Sequence, residues 1–261
     1  KKRKLGFQIF KGWGANMSQI KRAAYLIKQS KFAVCFTGAG ISVESGVPSF
    51  RGEDGLWEKY DPSMFEIDYF YKHPEKSWAL INKIFFEVLK DKKPNKAHFA
   101  LAKLEELGYI KALITQNIDN LHYLAGSKNI IEYHGNSRML VCKNCRRKFN
   151  ISDFDLSSVP YCPYCKVPLK PDFIFFGEMI PKETQEKSEQ LMNNCDLLII
   201  IGTSGLVYPA AFLPAMAKKK GAKVIEINKT FSEYTDKIVD VFLEGSASEI
   251  LEEILSELDA H

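Results

Sequence analysis

Four cysteines and a few polar residues at strand ends carry the chemistry legible in this chain of 261 residues. Cys142-Lys143-Asn144-Cys145 is followed, after sixteen residues, by Cys162-Pro163-Tyr164-Cys165. Two cysteine pairs at that separation have the spacing of a four-cysteine zinc ribbon. An all-cysteine set closes the tetrahedron and leaves no open position, so such a metal stabilises a fold and does not catalyse. A disulfide framework needs an oxidising compartment, for which nothing in the sequence speaks. A thioredoxin-like redox pair fits poorly, because there are two pairs and neither opens a helix after a strand. Cys35 and Cys195 flank buried strands and read as core residues.

The second centre is Phe32 to Arg51. Phe32-Ala33-Val34-Cys35-Phe36 reads as a strand covered on both faces. It runs into Thr37-Gly38-Ala39-Gly40-Ile41-Ser42, where backbone N–H groups at a glycine turn suit a phosphate. The dinucleotide fingerprint places a small residue three positions after its second glycine, and here that position is Val43, with the next glycine at Gly46. Taken alone, this stretch is weak evidence, because a glycine-rich surface turn in any α/β protein would look similar.

The elements around it narrow the choice. Ser18 caps a helix bearing Ile20, Ala23, Ala24 and Ile27. A long aromatic-rich stretch, Glu53 to Tyr71, reads as irregular, and a helix follows from Pro74 to about Leu89 with Trp78, Ile81, Phe85 and Leu89 on one stripe. Asn95 caps the next helix and Gly108 ends it. Strands are expected at Tyr109–Thr115, Ile130–Tyr133, Leu197–Ile201 and Lys223–Ile227, with helices near Leu121–Ala125, Pro181–Asn194, Tyr208–Lys220 and Ser246–Leu258. Alternating strands and helices predict an α/β fold with a doubly wound parallel sheet of Rossmann type. Ligands bind such sheets beyond the carboxyl ends of the strands. Gly38–Ser42, Gln116–Asp119, His134, Gly202–Ser204 and Asn228 all fall there.

Bulk composition sets limits. With 46% hydrophobic and 26% charged residues, the chain is expected to be soluble and globular, with one large domain or one plus a small insert. No apolar run approaches the roughly 20 residues that span a bilayer, and no secretory leader precedes the first helix. A cytoplasmic location is expected, or a nuclear one if the Lys1-Lys2-Arg3-Lys4 run is native to a eukaryotic source. Net charge is +4, but five cations and no acid fall within the first sixteen residues, leaving −1 for the rest. By net charge the folded body is no nucleic-acid surface. Residues 1–16 are expected to be a disordered extension, native or vector-derived. The predicted organisation assigns 17–42, 92–136 and 180–261 to the Rossmann-type domain, 43–91 to a cofactor loop and helical module, and 137–179 to the zinc ribbon.

Taken in order, Gly38-Ala39-Gly40-Ile41-Ser42, Pro48-Ser49-Phe50-Arg51, Thr115-Gln116-Asn117-Ile118-Asp119, His134-Gly135, the four cysteines, Phe175-Phe176-Gly177-Glu178, Gly202-Thr203-Ser204 and Ile227-Asn228 resemble the sirtuins. These are NAD-dependent protein-lysine deacylases, and the likeness runs from about Met17 to the C-terminus. The chain looks most like the compact bacterial and archaeal members. The resemblance implies NAD as co-substrate between a Rossmann-type domain and a smaller domain holding structural zinc on Cys142, Cys145, Cys162 and Cys165. It implies His134 as general base, which suits an imidazole at neutral pH. Asn117 and Asp119 would hold the ribose hydroxyls and the nicotinamide carboxamide, and Gln116 and Val43 are also expected among the cofactor contacts. Ile41 and Ile118 would wall the nicotinamide pocket, Phe50 would shield the reacting carbon, and Arg51 would sit near the phosphates. Gly38, Ala39, Gly40, Ser42, Gly202, Thr203 and Ser204 fit the phosphates; Asn228, Ser246 and Ala247 fit the adenosine end. Ile174, Phe176, Gly177 and Glu178, with Gly205, Leu206 and Val207, would take an acyl-lysine peptide as an added strand. His73, His98 and His122 read as structural or surface residues.

Some relatives that remove succinyl or malonyl groups carry Tyr-x-x-Arg on the helix after the aromatic loop, the arginine pairing the acyl carboxylate. Ile81-Asn82-Lys83-Ile84 stands in that register and has neither residue. A carboxylate buried against Ile81 and Ile84 would lack a partner, so acetyl or longer apolar acyl groups are expected. Two other readings fit the same residues: a protein ADP-ribosyltransferase, and a NAD-responsive binding module without turnover. Against the latter, binding alone requires no base at His134. The sequence does not indicate the oligomeric state.

Overall fold

The structure is a computed structural model describing residues 18–49, 55 and 59–260. The basic run Lys1–Lys4, Met17, Trp57 and the expected cofactor residues Phe50 and Arg51 lie outside the described residues.

The Ser18 hydroxyl accepts the Lys21 N–H and starts α1 (Gln19–Gln29). Strand β1 (Ala33–Thr37), buried throughout, leads into a 3-10 turn at Ala39–Ser45. The stretch expected to be irregular holds a 3-10 turn at Pro62–Phe65, capped by Asp61, and a short helix α2 (Ile67–Lys72). Helix α3 (Pro74–Ile81) continues through a π-helical segment, Asn82–Phe86, into a last turn at Glu87–Leu89. Asn95 and His98 form a reciprocal cap on α4 (Lys96–Glu106), which precedes β2 (Ile110–Thr115), α5 (Leu121–Leu124) and β3 (Ile130–Glu132). Strands β4 (Gly135–Val141), β5 (Lys148–Asn150) and β6 (Lys170–Phe173) follow. The chain ends with α6 (Lys182–Asn194), β7 (Leu197–Ile201), α7 (Leu213–Lys219), β8 (Lys223–Asn228), β9 (Val241–Glu244) and α8 (Ala247–Asp259). The helix expected at Tyr208–Lys220 is thus shorter. Pro214 is tolerated only near a helix start, and a 3-10 turn, Ala210–Phe212, occupies the segment before it.

Six parallel strands pair in the order β3-β2-β1-β7-β8-β9. Alternation along β1 explains why both faces are apolar. Ala33 and Cys35 pack with α1, α4 and α8 through Ala23, Ile27, Leu101, Leu104, Ile250 and Ile254. Val34 and Phe36 pack on the other face with Met192, Leu213 and Ala217 of α6 and α7. From β1 the chain first adds strands on one side and then, at β7, on the other. This reversal opens a crevice beyond the carboxyl ends of β1 and β7.

A separate antiparallel sheet, β5-β4-β6, packs with α2 and α3 in a third core containing Phe65, Phe70, Trp78, Phe85, Leu140, Phe173 and Phe175. The Trp78 indole N–H donates to the Leu169 carbonyl at 2.9 Å, tying α3 to the segment before β6. Among the described residues no helix is long and apolar enough to cross a membrane.

Candidate active site

Strand β2 ends at Thr115, and the next four residues cross the crevice mouth. The Gln116 N–H donates to the Thr37 carbonyl, and its side-chain amide donates to Thr203 Oγ1 at 3.0 Å. The ends of β1, β2 and β7 are thereby laced together. Strand β3 stops two residues before His134, whose Nδ1 lies 3.0 Å from the Gln116 carbonyl oxygen. A carbonyl only accepts, so Nδ1 carries the proton and Nε2 keeps a free lone pair. Burial lowers the His134 pKa below its ordinary value, while the Gln116 carbonyl works in the opposite direction. The imidazole is therefore a neutral base with its acceptor nitrogen available.

Asn117 and Asp119 are both buried. Asp119 Oδ2 accepts from the Ser42 hydroxyl at 2.6 Å, and Oδ1 accepts from the Leu121 N–H at 2.9 Å. Asn117 Nδ2 donates to the Gly38 carbonyl and to Ser42 Oγ. Burial raises the Asp119 pKa; Ser42, the Leu121 N–H and Asn117 oppose it. Behind Ser42 stands His98, with Nε2 3.4 Å from Ser42 Oγ and Nδ1 against Asn95. His122 packs on it at 4.8 Å between ring centroids and reaches Thr37 Oγ1 at 3.0 Å. Burial pushes the His98 pKa down to about 4 and that of His122 well below its ordinary value. These two uncharged histidines back Ser42, which holds Asp119; sequence reading expected structural or surface residues there, without this link to Asp119. Their separation along the chain hides the contact; the legible sign was the cap Asn95-Lys96-Ala97-His98.

The glycines serve a purpose other than the expected one. The Gly38 and Gly40 N–H groups donate to the carbonyls of Ile201 and Gly202, so neither is free for a phosphate. A Cβ on Gly40 would lie 2.6 Å from Gly202 Cα. Gly202 itself has φ +60°, and its Cβ would meet Ile41 N at 2.5 Å. Glycine is needed here because two loops cross at backbone contact. Ser42, assigned to phosphate from sequence, is fully buried with its hydroxyl on Asp119.

Asn228 ends β8 and Ser246 stands just before α8. Asn228 Nδ2 donates to the Thr203 carbonyl, and Ser246 Oγ, capping α8 just before Ala247, donates to Glu44 in the turn that also holds Ile41 and exposed Val43. Ser204, exposed, accepts the Glu233 N–H through its carbonyl. A cleft is lined by Ala39, Val47, Pro48, Ile84, Phe85, Val88, Leu89, Asn117, Ile118 and Asp119. Ile81 and Ile84 are buried and Lys83 is exposed, so the 81–84 stretch turns apolar side chains inward, and Ile84 is the one of them in the cleft lining. On the other side, the Ile174 N–H donates to the His134 carbonyl at 2.9 Å and starts the segment that carries exposed Phe176 and Gly177 and half-buried Glu178. Gly205, packed under Tyr234, leads to exposed Leu206 and to Val207, whose carbonyl accepts the Ala211 N–H.

The cysteine pairs lie on two turns of the same design. Cys142 and Arg147 close one through N–H to carbonyl at 3.0 Å, and Cys162 and Val167 close the other at 2.9 Å. Arg146 and Lys166 take the same left-handed conformation, φ +61° and +56°. All four sulfurs lie within 4.8 Å of one another, and Cys145 Sγ is 3.9 Å from Cys162 Sγ. Zn–S bonds of about 2.3 Å give a tetrahedral edge of about 3.8 Å. The thiols therefore fit zinc, with no disulfide among the six cysteines.

The Sir2 family profile matches residues 38–209. NAD-dependent protein deacetylase 1 of Pyrobaculum aerophilum is 43% identical, over 92% of this chain and 95% of its own length. The NAD-dependent protein deacylase of Pyrococcus abyssi is 42% identical, over 92% and 98%. A Sir2 homologue in complex with ADP-ribose superposes with TM-score 0.87 at 39% identity, over 92% of this chain and 96% of that one. A Sir2–p53 peptide–NAD+ complex gives 0.84 at 38% identity, over 93% and 99%. With profile, sequence and architecture in agreement, this chain belongs to the Sir2 family.

Proposed function

We propose that this chain is a NAD-dependent protein-lysine deacylase that moves an acyl group from a lysine side chain to ADP-ribose, with release of nicotinamide. Its relatives carry the names NAD-dependent protein deacetylase and deacylase, and a related structure holds deacetylated p53 peptide with 3'-O-acetyl ADP-ribose. NAD supplies the ADP-ribose acceptor and a leaving group, and structural zinc holds the smaller lobe on the four cysteines. The observation that carries the reading is the placement of His134. Its proton is fixed on Nδ1 by Gln116, and its main chain is bonded to the start of the 174–178 segment. A base is thus held between the strand ends that would bind NAD and the edge that would bind peptide.

The work divides among the residues by position. Asn117 and Asp119 present a buried amide and carboxylate to the nicotinamide side of the crevice, with Ser42 and His98 fixing their orientation. Ile118 and the Ile84–Leu89 wall keep water from that side. His134 Nε2 accepts a proton from a ribose hydroxyl, which makes that oxygen a nucleophile. Thr203, Asn228 and the α8 start line the way to the adenosine end. The apolar wall at Ile84, Phe85, Val88 and Leu89 supports acetyl and longer apolar acyl groups. The reducing cytoplasm is the compartment that suits four metal-binding thiols. Nicotinamide release that depends on an acetyl-lysine peptide tests the reading; labelled ADP-ribose retained on protein would favour ADP-ribosyl transfer instead.

A further inference from the structure

A lysine lies buried beneath the 174–178 segment. Lys170, the first residue of β6, is 5% exposed. An ammonium has three protons to give. Nζ donates to the Pro171 carbonyl at 2.9 Å and to the Phe173 carbonyl, and it meets Glu178 Oε2 at 3.0 Å. The same Glu178 oxygen accepts the Phe175 N–H at 2.8 Å, and the Phe175 ring lies 4.8 Å from the ammonium. One buried cation therefore joins two carbonyls of β6 to the far end of the turn that follows.

The consequence falls on the backbone of the 174–178 segment. The Phe176 N–H donates to the Phe65 carbonyl, and its carbonyl accepts from the Ile67 N–H, so this residue is bonded to Phe65 and to the first residue of α2. Phe175 is closed by Glu178 through both its N–H and its carbonyl. The Ile174 N–H is bonded to His134. Among the described residues, Gly177 alone in this segment has neither backbone group engaged, and its φ of +83° turns it out of line with its neighbours.

From this geometry we infer that Lys170, acting through Glu178, is the positioning residue that presents the Gly177 backbone to an incoming acyl-lysine peptide. The inference rests on the deacylase reading of this cleft. Lys170 touches no substrate; it fixes the turn whose free backbone groups a peptide would pair with. Burial lowers the lysine pKa while Glu178 raises it, in keeping with an ammonium sustained by its anion.

The test compares Lys170→Met, Lys170→Arg and Glu178→Gln in the full chain. Lys170→Met keeps the stem and removes the charge. It should raise the acetyl-lysine peptide KM about 10-fold with KM for NAD and kcat little changed, the pattern of lost uniform binding. Lys170→Arg should restore most of the peptide affinity. Glu178→Gln should act in the same direction as Lys170→Met, and the double variant should be no worse than Lys170→Met alone, because both remove one coupling. Exchange of the Phe175 amide, read without any substrate, should quicken in Lys170→Met. A peptide KM unchanged in both single variants, or parallel loss for peptide and NAD, overturns the inference. If Lys170→Met loses zinc or fails to fold, Glu178→Gln and its own Phe175 amide exchange decide. A wild-type protein that releases no nicotinamide with any acyl peptide rejects the deacylase reading, whereas unchanged Phe175 exchange rejects the strut by itself.

Discussion

The Nδ1 atom of His134 stands 3.0 Å from the main-chain oxygen of Gln116, and that contact fixes which nitrogen can act as a base. Gln116 is also the residue whose amide reaches Thr203 across the crevice. The base is therefore registered against both neighbouring strand ends. Replacing His134 with Ala should cost roughly 10²–10⁴-fold in deacylation while NAD binding persists, the usual range for a lost general base. Because burial lowers its pKa, the acid limb of kcat/KM should fall below the ordinary imidazole value of about 6.5. An acid limb above that value, or deacylation retained by His134→Ala, contradicts the assignment.

The paired cysteine turns should make the smaller lobe dependent on metal. One zinc per chain is expected, and a chelator should melt the third core before the six-stranded sheet, because ligand binding and folding of such a lobe are one process. Metal analysis together with near-UV circular dichroism of the Trp78 environment reads both. Substantially less than one zinc in active protein would rule the site out.

Helix α3 predicts acyl choice. Ile84, Phe85, Val88 and Leu89 line the cleft and Lys83 is exposed, so among the described lining residues no cation would pair a succinyl carboxylate. Acetyl and butyryl peptides should turn over faster than succinyl, and Ile84→Arg should narrow that gap by offering the missing cation. Faster turnover of succinyl by the wild-type chain would refute this.

The buried pair His98 and His122 carries a pH signature. Both have folded-state pKa values below their unfolded ones, so the unfolded chain takes up protons first as pH falls. Their contribution is complete above about 6.5 and declines as pH drops toward the folded value of about 4 for His98. Thermal melts over that range should show a steeper loss for the wild type than for a His98→Gln, His122→Gln variant. Parallel curves would mean that the two rings are not held uncharged.

Particular residues show what sequence could and could not reveal. Leu197–Ile201 was legible to the residue, because five consecutive apolar side chains between Asp196 and Gly202 fit a strand covered on both faces. Strand β9 was not foreseen: four residues at the sheet edge, half of them away from the core, give no such run. The π-helical Asn82–Phe86 keeps the helical stripe in register and leaves no compositional mark. Asp61-Pro62 was a legible helix start, overlooked because aromatic residues crowd that stretch without a clean period. Gln116–Asp119, His134 and Asn228 were legible as polar residues at or just beyond strand ends. Loop contact at Gly40 and Gly202, and the histidine pair behind Ser42, are tertiary facts that no local pattern encodes.

The central claim is that His134 and its neighbours couple acyl removal to nicotinamide loss. Incubation with NAD and an acetyl-lysine peptide, with products quantified by mass, tests it most directly. One nicotinamide and one acetylated ADP-ribose should appear for each peptide deacetylated, and none without the acetyl group. Deacetylation that yields free acetate without consuming NAD, or NAD consumption with the peptide left acetylated, would contradict it.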